Sequence, residues 1–204
     1  MAFPAFFDLA PRITVRDPLA ALLGASDDGL LVYGYADAVR LAGHSCPTVA
    51  GAFLMARAAL RALYPGAPAE RGGVSVRMGA PEQEGTTGVV AQVLTLITGA
   101  ASANGFHGIG GRFVRQGLLR YGTADEAPGV RFQRRDTGQA VRVELDLSHV
   151  PSPPGLRERM AKALAPSATA EQRRAFGALW QDRVRRLLLD HANDPAVVRV
   201  AALA

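Results

Sequence analysis

The chain has almost no cysteine, almost no lysine and no long apolar run. Cys46 is the single cysteine among 204 residues, which excludes an internal disulfide and is typical of a reducing compartment. No segment approaches the roughly 18 apolar residues of a membrane-spanning helix. The first dozen residues contain no basic segment ahead of the apolar ones, so no secretion signal is expected. We therefore expect a cytoplasmic protein without a membrane partner.

Basic residues outnumber acidic ones, and nearly all of them are arginine. The formal net charge is +5, and Lys162 is the lone lysine. A basic surface can attract nucleic acid, but arginine together with abundant alanine is also typical of a GC-rich genome. No nucleic-acid-binding motif or interleaved aromatic residues accompany the arginines, so a nucleic acid is not the expected partner. Apolar residues make up 49% of the chain, which is enough for one domain with a sizeable core.

A long amphipathic helix is predicted immediately after the cysteine. Pro47 suits the first position of a helix, where its missing N–H costs nothing. The apolar residues that follow recur at spacings of three and four, which places them on one face. They are Val49, Phe53, Ala56, Leu60 and Leu63. The pattern predicts a helix from Pro47 to Leu63, with Cys46 at its N-terminus.

His44 and Cys46 are the strongest candidate site residues. The free backbone N–H groups and the dipole of a helix N-terminus favour a thiolate. An extended pair two residues apart points to one side, so both side chains can meet one metal ion. Two ligands alone do not make a metal site. A small buried cysteine beside an ordinary histidine therefore stays open as the alternative.

Periodicity predicts the remaining elements. Residues 1–16 are expected to form a short arm or helix on the core. Strands are predicted at Leu30–Tyr35, Val74–Met78, Phe113–Tyr121, Val130–Arg134, Ala140–Leu147 and Val197–Val200. Helices are predicted at Tyr35–Leu41, Val89–Thr98, Leu156–Leu164 and Thr169–His191, the last opening on a capping box. A buried strand stays open as the alternative for Val89–Thr98, which is nearly all apolar. Three successive strands from Phe113 onward, joined by short turns, suggest an antiparallel meander.

A proline-rich break at Ser148–Gly155 suggests two parts. Residues 1–150 are expected to form an α+β domain, in which a mixed or antiparallel sheet carries the long helix on one face. Residues 151–204 are expected to form a helical C-terminal extension. Its apolar stripe, which includes Trp180, requires a covering surface on the core or on a second subunit.

The glycine-rich segment Gly99–Gly111 is the second candidate feature. It does not fit a phosphate-binding loop or a dinucleotide-binding fingerprint. Its glycines permit close backbone approach to a ligand, and His107 is its only titratable side chain. We expect the segment to cover the His44–Cys46 site, with Gly99, His107 and Gly108 as cofactor-binding residues. His107 is open to three roles: metal ligand, substrate contact, or exposed loop residue.

Two motifs resemble the FmdE-like family, which takes its name from formylmethanofuran dehydrogenase, over about residues 30–122. The first is His44-Ser45-Cys46-Pro47 with a small residue at Gly51; the second runs from Gln92 to Gly99. The resemblance implies an α+β domain that is often dimeric, and a metal, usually zinc, bound through His44 and Cys46. Thr48 replaces a common glycine of the first motif. Alanines at 100 and 101 stand where the second motif has a cysteine, and the CxxC tail of some relatives is missing.

Three classes of function follow. The first is an FmdE-like metal-binding homodimer that acts as an enzyme or as a handler of a metal or cofactor, on an unidentified small ligand. Its metal is zinc, with heme or another transition metal as alternatives, and His44 and Cys46 are its candidate catalytic residues. The second is a metal-free thiol protein in which Cys46 is the nucleophile and His44 the base. The third is a module that binds nucleic acid or protein through C-terminal arginines. The pterin and iron–sulfur ligands of formylmethanofuran dehydrogenase are not visible in the sequence, so that activity is not inferred.

Overall fold

The computed structural model describes residues 3–123 and 127–203. Its α-helices are α1 (Phe6–Leu9), α2 (Pro18–Leu22), α3 (Tyr35–Ala42), α4 (Pro47–Leu63), α5 (Thr87–Thr98), α6 (Leu156–Leu164) and α7 (Ala170–Arg185). Its strands are β1 (Ile13–Arg16), β2 (Leu30–Tyr33), β3 (Ala69–Glu70), β4 (Val74–Met78), β5 (Leu119–Arg120), β6 (Val130–Arg134), β7 (Ala140–Leu145) and β8 (Val198–Leu203). This composition confirms the predicted α+β fold. None of the helices in the described residues is long and apolar enough to span a membrane.

Helix α4 is the centre of the fold. Its bounds match the prediction, and most of its residues are buried on every side rather than along one stripe. It packs against α3, α5, β7 and β8, and β6 also reaches it. Gly51 lies so close to Leu145 that a Cβ atom at this position would overlap the leucine side chain. The helix therefore fixes the positions of the surrounding elements through direct packing.

Two sheets surround this helix. The larger sheet has the strand order β5-β4-β6-β7-β8, and the smaller has the order β2-β1-β3. Alternate residues of the larger sheet are buried and belong to the same core as α4, as the period of two requires. They include Val74, Val76, Phe132, Val141 and Val143. The opposite face of the larger sheet carries polar and charged residues.

Three predictions about strands need correction. Only Leu119 and Arg120 of the predicted strand Phe113–Tyr121 form a strand, because Phe113 has a φ of 61° and Arg115 turns into the core to meet Asp17. Strand β5 pairs with β4 in parallel, so the predicted three-stranded meander is reduced to the hairpin of β6 and β7, beside which β8 pairs antiparallel with β7. Strand β1, where an arm or helix was expected, was missed. The predicted turn between Gly122 and Gly129 includes residues 124–126, which lie outside the described residues.

The C-terminal residues contribute to the same core as α4. Val184, Leu187, Leu188 and Val197 are fully buried there, and β8 pairs with β7 along six residues. Helix α7 continues into one π-helical turn over Arg186–Asp190. Together they end one residue before His191, the predicted end of the helix. The division into residues 1–150 and 151–204 stays a prediction.

A buried ion-pair cluster joins the smaller sheet to Arg115, which follows the glycine-rich segment. Asp17 accepts hydrogen bonds from Arg71 at 2.9 Å and from Arg115 at 2.7 Å, and its side chain also caps α2. Burial by itself would raise the pKa of Asp17, but the Arg71 hydrogen bond and the Arg115 charge hold it below its ordinary value. The carboxylate thus stays charged and holds two arginines from distant parts of the chain.

Asp17→Asn should destabilise the protein by about 3–5 kcal/mol at neutral pH, because it leaves two arginines without their buried counter-charge. Urea unfolding followed by circular dichroism measures this loss. A lowered native pKa means that the contribution is present above the ordinary pKa of an aspartate. The difference between the two proteins should therefore shrink as the pH falls through the lowered pKa of Asp17. The exposed Asp27→Asn is the matched control, and equal stability of the two variants would contradict the cluster's role.

Residues 1–150 alone should not form a stable monomer, because the truncation uncovers β7 and the apolar surface under Leu187 and Leu188. Size-exclusion chromatography and thermal unfolding test this. In the full chain, Leu187→Ala should cost about 2–5 kcal/mol, whereas Leu164→Ala, at a side chain 75% exposed, should cost little. A well-dispersed 1–150 monomer with the native thermal midpoint would show instead that the C-terminal residues are dispensable.

Candidate functional site

Cys46 is the N-cap residue of α4. Its backbone is extended (φ −150°, ψ 167°), and its Sγ accepts a hydrogen bond from the Val49 N–H at 3.4 Å. Pro47 occupies the first helical position, as the sequence predicts. The sulfur therefore lies at the N-terminus of a 17-residue helix, where the backbone N–H groups and the helix dipole carry partial positive charge. The residue is only 8% exposed, so few reagents of large size can reach it.

His44 lies in the short connection between α3 and α4, and it is exposed. Gly43 ends α3 with a φ of 74°, a left-handed conformation that suits glycine. The Nδ1 atom of His44 lies 2.9 Å from the Ala42 carbonyl oxygen. Because a carbonyl only accepts, Nδ1 carries the proton, and Nε2 of the neutral ring has the free lone pair. Within the described residues Nε2 has no partner, so it is available to a metal or a substrate.

Ser45, between the two candidate ligands, is held from two sides. Its hydroxyl donates to Gln181 Oε1 at 2.9 Å and accepts from Tyr35 Oη at 2.9 Å. Its carbonyl oxygen accepts from Trp180 Nε1 at 2.9 Å and from Gln181 Nε2 at 3.2 Å. Burial raises the pKa of Tyr35, so its phenol stays a hydrogen-bond donor across the neutral range. We call these four hydrogen bonds the Ser45 clamp.

The sequence pattern does not predict the Ser45 clamp. Trp180 fits an apolar stripe, and nothing in the sequence indicates that Tyr35 and Gln181 belong to the site. One signal was available, since a buried tryptophan N–H needs an acceptor. The identity of that acceptor depends on a contact across 135 residues, which no local pattern reveals. The clamp makes the conformation of residues 44–46 dependent on α7.

The donor set of this site is suitable in kind but small in number. A thiolate and an imidazole are the ligands that zinc and other soft transition metals prefer. Zinc sites in proteins generally have three or four protein ligands. Among residues 3–123 and 127–203, no group of three or more His, Cys, Asp or Glu side chains is placed to hold a metal. Any further coordination positions at His44 and Cys46 would thus be filled from outside these side chains.

The glycine-rich segment lies at the other end of α4. It leaves α5 at Gly99 beside Gly72, whose N–H donates to the Thr98 carbonyl at 2.7 Å. The Gly72 carbonyl accepts from Arg135, and the adjacent Arg134 donates to the carbonyl of Leu63, the last residue of α4. A 17-residue helix is about 25 Å long, so this end is far from Cys46. The prediction that the segment covers the His44–Cys46 site is therefore wrong within one chain.

Two of the segment's three predicted cofactor residues have local structural roles. Gly99 caps α5 with a φ of 72°, and a side chain at Gly108 (φ 93°) would overlap the Arg112 carbonyl. His107 is exposed, and its ring makes no hydrogen bond within the part of the chain that the structure describes. Residues 111–114 line a cavity of about 450 Å³ together with Pro18, Glu70 and Arg135. A cofactor-binding role for Gly99, His107 and Gly108 stays a prediction.

His107→Ala should leave the chemistry of Cys46 unchanged, since the two residues lie near opposite ends of α4. The rate of alkylation of Cys46 by iodoacetamide, followed by mass spectrometry, measures this. His44→Ala is the positive control, because removing the neighbouring imidazole should change that rate. A His107→Ala variant that alters the rate as much as His44→Ala would place the loop beside the thiol in the assembled protein.

Comparison with known proteins gives one result. A family model described as "FmdE, Molybdenum formylmethanofuran dehydrogenase operon" matches residues 41–194, about three quarters of the chain. The match includes the His44–Cys46 motif, the segment Gly99–Gly111 and helix α7 with its clamp residues. No curated protein matches the chain.

Proposed function

Because the chain belongs to the FmdE family, we propose that it is a metal-binding protein in which His44 and Cys46 hold one transition metal ion, zinc by default. It would act on an unidentified small ligand, as an enzyme or as a handler of the metal or cofactor. We place it in the cytoplasm as a homodimer. The family description names an operon, and we do not transfer the dehydrogenase activity to this chain.

The observation that carries this proposal is the placement of the two donor atoms. Cys46 Sγ lies at the N-terminus of α4 and is held there by the hydrogen bond from the Val49 N–H. The hydrogen bond from His44 Nδ1 to the Ala42 carbonyl leaves Nε2 unprotonated in the neutral ring, and such a second partner orients a ligating imidazole. The Ser45 clamp fixes the backbone between them.

Two protein donors imply an open coordination sphere. Water, the small ligand or a second subunit would fill the remaining positions of a zinc ion. A zinc ion with an open position supplies Lewis-acid chemistry and lowers the pKa of bound water. Heme is the variant that needs fewest protein donors, since a single thiolate or imidazole serves as an axial ligand.

One observation favours a second candidate, a metal-free thiol protein. No third ligand lies near the pair within the described residues. In this case Cys46 would be the nucleophile and His44 its base. The chain has no second cysteine, so any disulfide formed by Cys46 would need a partner molecule.

Metal analysis separates the two candidates. Protein purified without chelators should contain about one transition metal ion per chain by inductively coupled plasma mass spectrometry. Cys46→Ala and His44→Ala should each lose it, whereas His149→Ala, at an exposed histidine outside the site, should retain it. Binding should also weaken in acid, because the metal competes with protons for both donors. Full metal content in Cys46→Ala would refute the metal proposal.

The Ser45 clamp offers an independent test of the same site. Trp180→Phe removes the N–H that bonds the Ser45 carbonyl and keeps most of the apolar volume. If the clamp orients the ligands, this variant should bind metal about 10–100-fold more weakly in chelator competition. Phe176→Leu, which alters the neighbouring ring on α7 without touching Ser45, is the matched control. Equal affinities of the two variants would separate the clamp from metal binding.

A further inference from the structure

Four arginines form one row across the larger sheet. Arg120 on β5 lies opposite Arg77 on β4, Arg77 lies opposite Arg131 on β6, and Arg131 lies opposite Arg142 on β7. Residues directly opposite each other in a sheet point to the same face. This is the outer face, because the residues that alternate with them belong to the core around α4. We call these four residues the arginine row.

The four guanidinium groups of the arginine row repel one another. Adjacent strands are about 4.8 Å apart, so four like charges lie along roughly 14 Å. Like charges directly opposite each other destabilise a sheet. Two residues after Arg142 on the same face of β7, in contrast, Glu144 forms an ion pair with Arg199 of β8 at 3.2 Å. Packing alone gives no reason for arginine at four consecutive paired positions.

Some of the C-terminal arginines that the sequence suggested for binding a macromolecule have partners within the chain. Arg183 donates to the Val150 carbonyl, and Arg186 pairs with Asp182. Arg173 and Arg174 on α7 are exposed. Beside the row, Arg134 pairs with Asp136 at 2.6 Å.

Three members of the row retain unused donors. The guanidinium groups of Arg120 and Arg142 make no hydrogen bond or ion pair within the described residues. Arg131 reaches only Gln133 Oε1 at 3.4 Å, and its buried Nε has no partner among the described atoms. Arg77 has an interaction of its own, so nothing here depends on it being available. An unpaired buried donor is costly and indicates a missing acceptor.

A cavity of about 520 Å³ opens over this part of the sheet. Arg120 and Arg131 line it together with Ser75 and Gln133, and none of the described lining residues is acidic. Its size lies in the range of small-molecule sites. The two glycines on its rim, Gly117 and Gly138, have positive φ values and present backbone rather than side chains.

We propose that the arginine row and this cavity bind a small organic anion that carries at least two phosphate or carboxylate groups. The planar guanidinium fork matches the oxygens of both kinds of group, and the forks of Arg120 and Arg131 both face the cavity. A nucleic acid fits less well, because the described residues that line the cavity include no aromatic side chain on which a base would stack. The site lies on the face of the sheet opposite α4 and is therefore separate from Cys46.

Isothermal titration calorimetry with sodium pyrophosphate and with citrate, at fixed ionic strength, tests this proposal on the full-length protein. We expect one anion per chain. Tighter binding of pyrophosphate assigns a phosphorylated ligand, and tighter binding of citrate assigns a polycarboxylate. The double variant Arg120→Gln/Arg131→Gln should bind at least about tenfold more weakly. The double variant Arg173→Gln/Arg174→Gln, which removes the same charge from an exposed part of α7, should bind normally.

Two further measurements keep the test independent of folding and of the metal proposal. Without anion, the Arg120→Gln/Arg131→Gln variant should unfold at the native temperature or above it, because repulsion within the row is reduced. Cys46→Ala should retain anion binding. The proposal is overturned if neither anion binds, if both double variants lose binding equally, or if Cys46→Ala abolishes it. Binding of a labelled oligonucleotide that neither small anion displaces would also overturn it.

Discussion

The burial of α4 on all sides is the constraint on which the rest of the structure depends. A helix that packs against two other helices and a sheet has little freedom to rotate or slide, because protein interiors are close-packed. Gly51 permits one close contact, where Leu145 approaches the helix backbone. The N-terminus of the helix is fixed in consequence, and with it the sulfur of Cys46. The chemistry of one residue thus rests on the packing of the whole core.

The C-terminal residues complete this arrangement from the other side. Helix α7 supplies Trp180 and Gln181 to the Ser45 clamp, and the turn that follows supplies Leu187 and Leu188 to the core. The family match extends through residue 194 and so includes this helix together with the motif that it holds. The position of the motif and the fold of the C-terminal residues are therefore coupled.

Local patterns predicted the elements that are set by local forces. Helix α4, helix α6 and strands β4 and β6 have the predicted bounds, because their apolar periods and flanking turn residues agree. Strand β1 has only four residues, too few for a period of two to stand out. The prediction of a strand at Phe113–Tyr121 was wrong, because Arg115 points into the core to form an ion pair with Asp17, nearly one hundred residues away in the chain.

The two candidate sites also differ in how far they depend on local sequence. His44 and Cys46 are neighbours in sequence, so their pairing at a helix start was visible, whereas the Ser45 clamp is not local. The arginine row was also invisible, because four arginines on four strands become neighbours only once the register is known. Whether Gly99, His107 and Gly108 bind a cofactor stays a prediction, although their place at the far end of α4 separates them from the thiol.

The Ser45 clamp has a consequence for how the protein is made. Its two halves are 135 residues apart in the chain. At a synthesis rate of about 5–20 residues per second, the ribosome completes Trp180 roughly 7–27 s after it completes Ser45. During that interval the thiol has emerged without the helix that will hold it, and contacts of such long range also form slowly. The nascent chain therefore exposes its cysteine before the folded protein buries it.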